Sequence, residues 1–134
     1  MANEYSPTTV ETSPTLKGLF ARTNAPYLIA KGTLLAKDVA HPVGPLSKWT
    51  LLAQKPGTQN WVPFDAASSD DDAKVIGGIL VGPADCTSAA QPIEIYVMGE
   101  YIKDSLVIAS GAAMSTVPVG RYGSGLSIIL EASV

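Results

Sequence analysis

Glycine and proline set the first limit on this chain: 12 Gly and 10 Pro are spread through 134 residues and divide its apolar residues into short runs. Proline removes a backbone donor and fixes φ, while glycine carries an entropic cost inside regular helices. Long helices are therefore disfavoured, and short strands joined by tight turns remain. With 46% hydrophobic and 16% charged residues, the chain is too apolar for disorder beyond its first stretch. Its length suits one sizeable core and hence one domain. The expectation is a mainly β fold, a small barrel-like or sandwich-like domain with at most a few short helices.

Residues 1–26 read differently from the rest. From Met1 to about Thr15 the sequence is Ser, Thr, Pro, Asn and Glu with only Tyr5 and Val10 as sizeable apolar groups, too few to offset the entropy of ordering. Leu16, Leu19 and Phe20 then form an apolar patch with little of its own to pack against. A flexible N-terminal arm over 1–26, followed by a β-rich domain over 27–134, is the expected organisation.

Within that domain, Tyr27–Ala30 and Thr33–Ala36 read as two strand segments about a turn or bulge at Lys31-Gly32. His41–Pro45 reads as a loop, Trp49–Gln54 as a strand, and Lys55-Pro56-Gly57-Thr58 as a turn. Pro63 should confine Trp61–Phe64 to an edge or an irregular segment. Asp65–Asp72 has the composition of a solvated acidic loop. The apolar run Val75–Val81 is consistent with a strand buried on both sides, its glycines permitting close backbone approach. Ile93, Ile95 and Val97 alternate with Glu94, Tyr96 and Met98, the period of a strand with one buried face, which Gly99 should end. Leu106–Ile108 fits either a strand or a helical turn. Leu126, Ile128 and Leu130 alternate as a closing strand.

Composition also bears on function. The longest nearly apolar run, Val75–Ala84, carries three glycines and a proline and is far short of the roughly 20 residues of a membrane helix. The first residues lack a basic region followed by an apolar stretch, so no secretory signal is read and the cytosol is the expected site of synthesis. The single Cys86 allows no internal disulfide and no cysteine-rich zinc site. Net charge is -3, and the nine basic residues are scattered from Lys17 to Arg121, which argues against polyanion partners.

No catalytic constellation emerges, and the protein is expected not to be an enzyme and to use no cofactor or small-molecule substrate. A dyad of Cys86 and His41 has no motif behind it. Asp70-Asp71-Asp72 lacks the ligand order of a calcium loop. Gly120, Gly123 and Gly125 lack the lysine and the following Ser or Thr of a phosphate-binding loop. Trp49, Trp61, Tyr96 and Tyr101 would need interleaved basic residues to make a nucleic-acid platform.

The ordered series Val75-Ile76-Gly77-Gly78-Ile79-Leu80-Val81, Ala84-Asp85-Cys86-Thr87-Ser88, Ile93–Val97, Gly99-Glu100-Tyr101 and Leu106 resembles the head decoration proteins of lambda-like phages. Gly32-Thr33-Leu34-Leu35, Trp49-Thr50-Leu51-Leu52 and Gly125-Leu126-Ser127-Ile128 extend the resemblance over roughly residues 30–130. It implies a homotrimer on local threefold axes of the assembled capsid, bound to the major capsid protein. It also implies a place on the outer virion surface after a period in the host cytoplasm, and a role in stabilising the head against internal DNA pressure. Val10, Leu16, Leu19 and Phe20 would be the capsid-binding residues of the arm. The sequence departs from the family pattern around His41–Lys48, around Ser68–Asp72, and in lacking a Trp-Pro pair after the closing Leu. The alternative readings are another trimeric virion domain from a tail or fibre and, behind it, a small nucleic-acid-binding barrel.

Overall fold

A computed structural model describes residues 27–122 and 125–129 of the chain. Nine strands are present among them: β1 Leu28–Leu34, β2 Pro45–Leu46, β3 Leu51–Gln54, β4 Asn60–Pro63, β5 Gly78–Leu80, β6 Ala84–Asp85, β7 Gln91–Ile102, β8 Gly120–Tyr122 and β9 Leu126–Ile129. The only helical turns among these residues are short 3₁₀ segments at Asp71–Lys74, Lys103–Ser105 and Met114–Thr116. The fold is mainly β, as the glycine and proline spacing requires.

Five strands close a barrel in the order β1, β4, β3, β5, β7 and back to β1. Closure comes from an antiparallel β1–β7 ladder running from Leu28↔Met98 to Leu34↔Gln91. β7 then continues past the barrel and pairs in parallel with β9, which carries β8 on its other edge. β2 and β6 form a separate small ladder.

Side-chain alternation separates two large clusters, beside a small third one of Ala53, Val62 and Ala73. Leu34, Leu52, Trp61, Leu80, Ile93 and Ile95, drawn from all five barrel strands, fill the interior. Leu51, Ile79 and Tyr96 point the opposite way from β3, β5 and β7, and are covered by Leu106, Ile108, Val117, Leu126 and Ile128. The β3–β5–β7 wall is therefore apolar on both faces. That explains the unbroken run at Gly78-Ile79-Leu80, where all three residues are buried.

The interior is built round one indole. A Cβ on Gly32 would lie 2.6 Å from Trp61 Nε1, and one on Gly78 would lie 2.4 Å from Ile95 Cγ2 and 3.2 Å from Trp61 Cζ3. Glycine at these positions lets the wall approach a large side chain that would otherwise not fit.

Several expectations need correction. The two segments expected on either side of Lys31-Gly32 are one strand, β1, because pairing with β7 runs straight through Lys31-Gly32; the one irregularity lies between Leu28 and Ile29, where β7 carries an extra residue. Trp61–Pro63 belongs to β4, which pairs on both sides and is no edge. Pro63 is tolerated because it is the last residue of β4, after β1 pairing has ended at Leu34↔Trp61. Gly99 bends β7 with φ 138° and does not end it; the strand runs on to Ile102. β7 also buries residues on both faces, Ile95 toward the interior and Tyr96 toward the outer layer. Leu106–Ile108 is neither a strand nor a helical turn, since Val107 makes only an isolated parallel bridge to Thr50.

Candidate interaction surface

The arm residues Val10, Leu16, Leu19 and Phe20 lie outside the described residues. The structure describes the surface around the start of β1. Tyr27 meets Tyr96 edge-on, with ring centroids 5.7 Å apart at 81°. Tyr96 lies 5.6 Å from Tyr101, whose hydroxyl donates to the Met98 carbonyl at 2.7 Å. Burial, with lesser effects from Tyr27 and Glu94, pushes the Tyr96 hydroxyl up to about 12, and burial raises Tyr101 as well. Both phenols therefore keep their protons at neutral pH. The stack anchors the start of β1 to the wall.

β1 itself has two unlike halves. Thr33 and Leu34 are flanked by β7 on one edge and β4 on the other. Thr33 N–H donates to Gln59 and Leu35 N–H to Trp61, which fixes the edge facing β4. By strand alternation, Ile29 and Lys31 turn their backbone groups to that same edge, where β4 does not reach. Among the described residues nothing pairs with the edge from Leu28 to Lys31. Leu28 is 45% exposed, and Ile29 and Met98 are each 38% exposed. An open backbone edge and three exposed apolar side chains thus coincide where residues 1–26 join the barrel.

A polar cluster stands elsewhere on the surface. His41 is buried, with Nδ1 2.8 Å from Asp38 Oδ1 and Nε2 2.7 Å from Asp70 Oδ2. Asp70 also accepts from Lys55 Nζ and from the Asp72 backbone N–H, capping the first 3₁₀ turn. The Lys55 ammonium holds the Asp70 carboxyl down at about 2 against the opposing effect of burial, and the same hydrogen bond raises Lys55. The cluster joins the loop before β2, the β3–β4 turn and the loop after β4. Asp65–Asp72 is therefore not simply solvated: Ser68 is buried and Asp70 keeps only 15% exposure.

The groupings weighed from sequence take separate places. Both ring nitrogens of His41 face carboxylates, whereas the Cys86 thiol is buried against the Gly44 carbonyl at 3.4 Å and is raised by that burial. The two do not form a dyad. Trp61 lies inside the barrel while Tyr96 and Tyr101 lie in the outer layer, so these aromatics do not share one exposed face. Gly120 begins β8 and Gly125 precedes β9, while Gly123 lies outside the described residues. Among the described residues no group of three or more His, Cys, Asp or Glu is arranged to hold a metal ion, and no helix is long and apolar enough to cross a membrane.

One open groove of about 440 Å³ runs between Lys31-Gly32, the Leu80–Ala84 turn and Pro92–Glu94. It is shallow, and its base is the β1–β7 ladder. Sequence reading found neither the open edge nor the His41 cluster. Asp38 and His41, three residues apart, were the available sign of the cluster, but its second half lies 29 residues away. The chain matches no protein-family model and no curated protein.

Proposed function

We propose that the chain is a capsid decoration protein that acts as a trimer and clamps the outer surface of an assembled phage head at its local threefold axes. The observation that carries the reading is the ordered motif series that resembles the lambda-like decoration proteins. Pieces of it lie on strands that pair about β7: Gly78-Ile79-Leu80 is β5, Ile93–Val97 and Gly99-Glu100-Tyr101 lie on β7, and Leu126-Ser127-Ile128 lies on β9, with β5 and β9 each paired to β7. The Ala84–Ser88 stretch includes β6 and a turn in which Asp85 accepts from the Thr87 N–H.

The mechanism follows from the division between a closed barrel and a polar arm with an apolar patch. The barrel supplies a rigid body, and the arm supplies backbone groups that can add a strand to a sheet edge of the major capsid protein. Val10, Leu16, Leu19 and Phe20 would fill apolar pockets beside that edge. One arm binds weakly because ordering it costs entropy, but three arms on one trimer raise the effective concentration and add about 10² to 10⁴ in avidity.

The test is co-sedimentation with expanded, undecorated heads of the lambda-like type. Full-length protein is expected to bind to saturation and to raise the temperature at which heads release DNA. A Leu19→Asp, Phe20→Asp double variant should fold normally and bind far more weakly. Equal binding by that variant, or no binding by the wild type, would remove the proposal.

A further inference from the structure

Each ring nitrogen of His41 meets a carboxylate: Nδ1 lies 2.8 Å from Asp38 Oδ1 and Nε2 lies 2.7 Å from Asp70 Oδ2. An ionised carboxylate only accepts, so both contacts are hydrogen bonds only when the ring carries both of its protons. The surroundings hold both carboxyls in that ionised form. Against the opposing effect of burial, hydrogen bonds from the His41 backbone and ring lower Asp38. Lys55 holds Asp70 down at about 2. Of the other charged groups at the cluster, Lys55 pairs with Asp70 and reaches Asp72 at 3.7 Å. Asp65, which lines a small cavity together with His41, accepts from the Ala67 N–H.

When the ring loses one proton, one of the two contacts must fail, and the two carboxylates differ in their freedom to leave. Asp70 is 15% exposed and is fixed by Lys55 and by the Asp72 N–H. Asp38 is 59% exposed and can turn to water. A neutral ring therefore keeps its proton on Nε2, against Asp70, and presents the bare lone pair of Nδ1 to Asp38 Oδ1. That contact is repulsive at 2.8 Å. The same Asp38 oxygen accepts from the His41 backbone N–H at 2.8 Å, so its departure undoes two bonds across the turn from Asp38 to His41. The far side of the turn stays held, because the Ser68 hydroxyl donates to the Ala40 carbonyl at 3.2 Å. Val39, at the tip, is wholly exposed.

We propose that His41 is a pH-sensitive latch on this turn: with both ring protons it pins Asp38, and on losing the Nδ1 proton it releases Asp38 and Val39 while Ala40 and His41 stay in place. Falling pH closes the latch and rising pH opens it. The closed state extends from the acid range in which Asp38 and Asp70 take up protons to the pH at which the ring gives up its Nδ1 proton. The Nε2–Asp70 bond is common to both states, so the pairing of Asp70 with Lys55 does not switch. The latch belongs to the free protein and is independent of the capsid reading.

Nitrogen NMR on the full-length protein over a pH series tests it, and the ring signals are unambiguous because His41 is the only histidine of the chain. As the pH rises, Nδ1 should lose its proton while Nε2 keeps its own. The backbone amides of Val39 and His41 should shift with the same midpoint as the ring. The Leu51 and Leu80 amides, bonded to Val107 and Thr50 in the barrel, should stay unmoved. In Asp38→Asn the ring loses one counter-charge, so its midpoint should fall by about half a pH unit, a shift suited to a partly exposed pair. A neutral ring protonated on Nδ1 overturns the proposal. So do Val39 and His41 amides that ignore the ring titration in wild type, and so does a midpoint unmoved in Asp38→Asn.

Discussion

The two halves of β1 share one strand, one partner in β7 and the same kind of side chain, yet they differ in what covers them. Leu34 has β4 on its second edge and is fully buried in the barrel. Leu28, six residues earlier, has no second neighbour among the described residues and is 45% exposed. Apolar character alone therefore does not mark core in this protein. A leucine belongs to the core where the barrel closes round it, and is left for another surface where closure stops.

The largest effect should come from the filled end of the comparison. Trp61→Ala empties the barrel centre and is expected to cost about 3–5 kcal/mol in urea unfolding. Leu34→Ala should cost about 2–5 kcal/mol, whereas Leu28→Ala should stay within about 0.5 kcal/mol. Equal losses at the two leucines would break the contrast. Gly78→Ala should cost about 1–3 kcal/mol, because its Cβ meets Ile95 and Trp61 at once.

The smallest predicted effect is electrostatic. Asp70 titrates near 2 in the folded protein, below its ordinary value, so its ion pair with Lys55 adds stability above about pH 4. That stability is lost as the pH falls through about 2. The difference between wild type and Asp70→Asn should therefore be on the order of 1 kcal/mol at pH 7, after allowance for solvent screening, and should shrink toward pH 2. A difference that grows with acid would contradict the assignment.

How much was legible from sequence follows the same division. Local signals worked: the Lys55–Thr58 turn closes with a Thr58 N–H to Lys55 bond, and the alternation at Leu126 and Ile128 marks β9. The apolar run at Ile79-Leu80 announced burial on both faces. Non-local pairing was not legible, since nothing in Leu28–Leu34 names Gln91–Met98 as its partner or shows where β4 stops short. Glycine misled at residue 99, because a positive φ can bend a strand that neighbours on β9 still hold in register. Composition misled at Asp65–Asp72, because His41 and Lys55 recruit Asp70 from elsewhere in the chain. The predicted arm residues Val10, Leu16, Leu19 and Phe20 fall outside the described structure.

Attachment as proposed depends on three arms acting from one rigid body, so the mass of the full-length protein by light scattering tests the account most directly. A mass three times that of the 13.9 kDa chain, unchanged on dilution, is the predicted result. A stable monomer would remove the avidity on which the clamp relies and contradict the account.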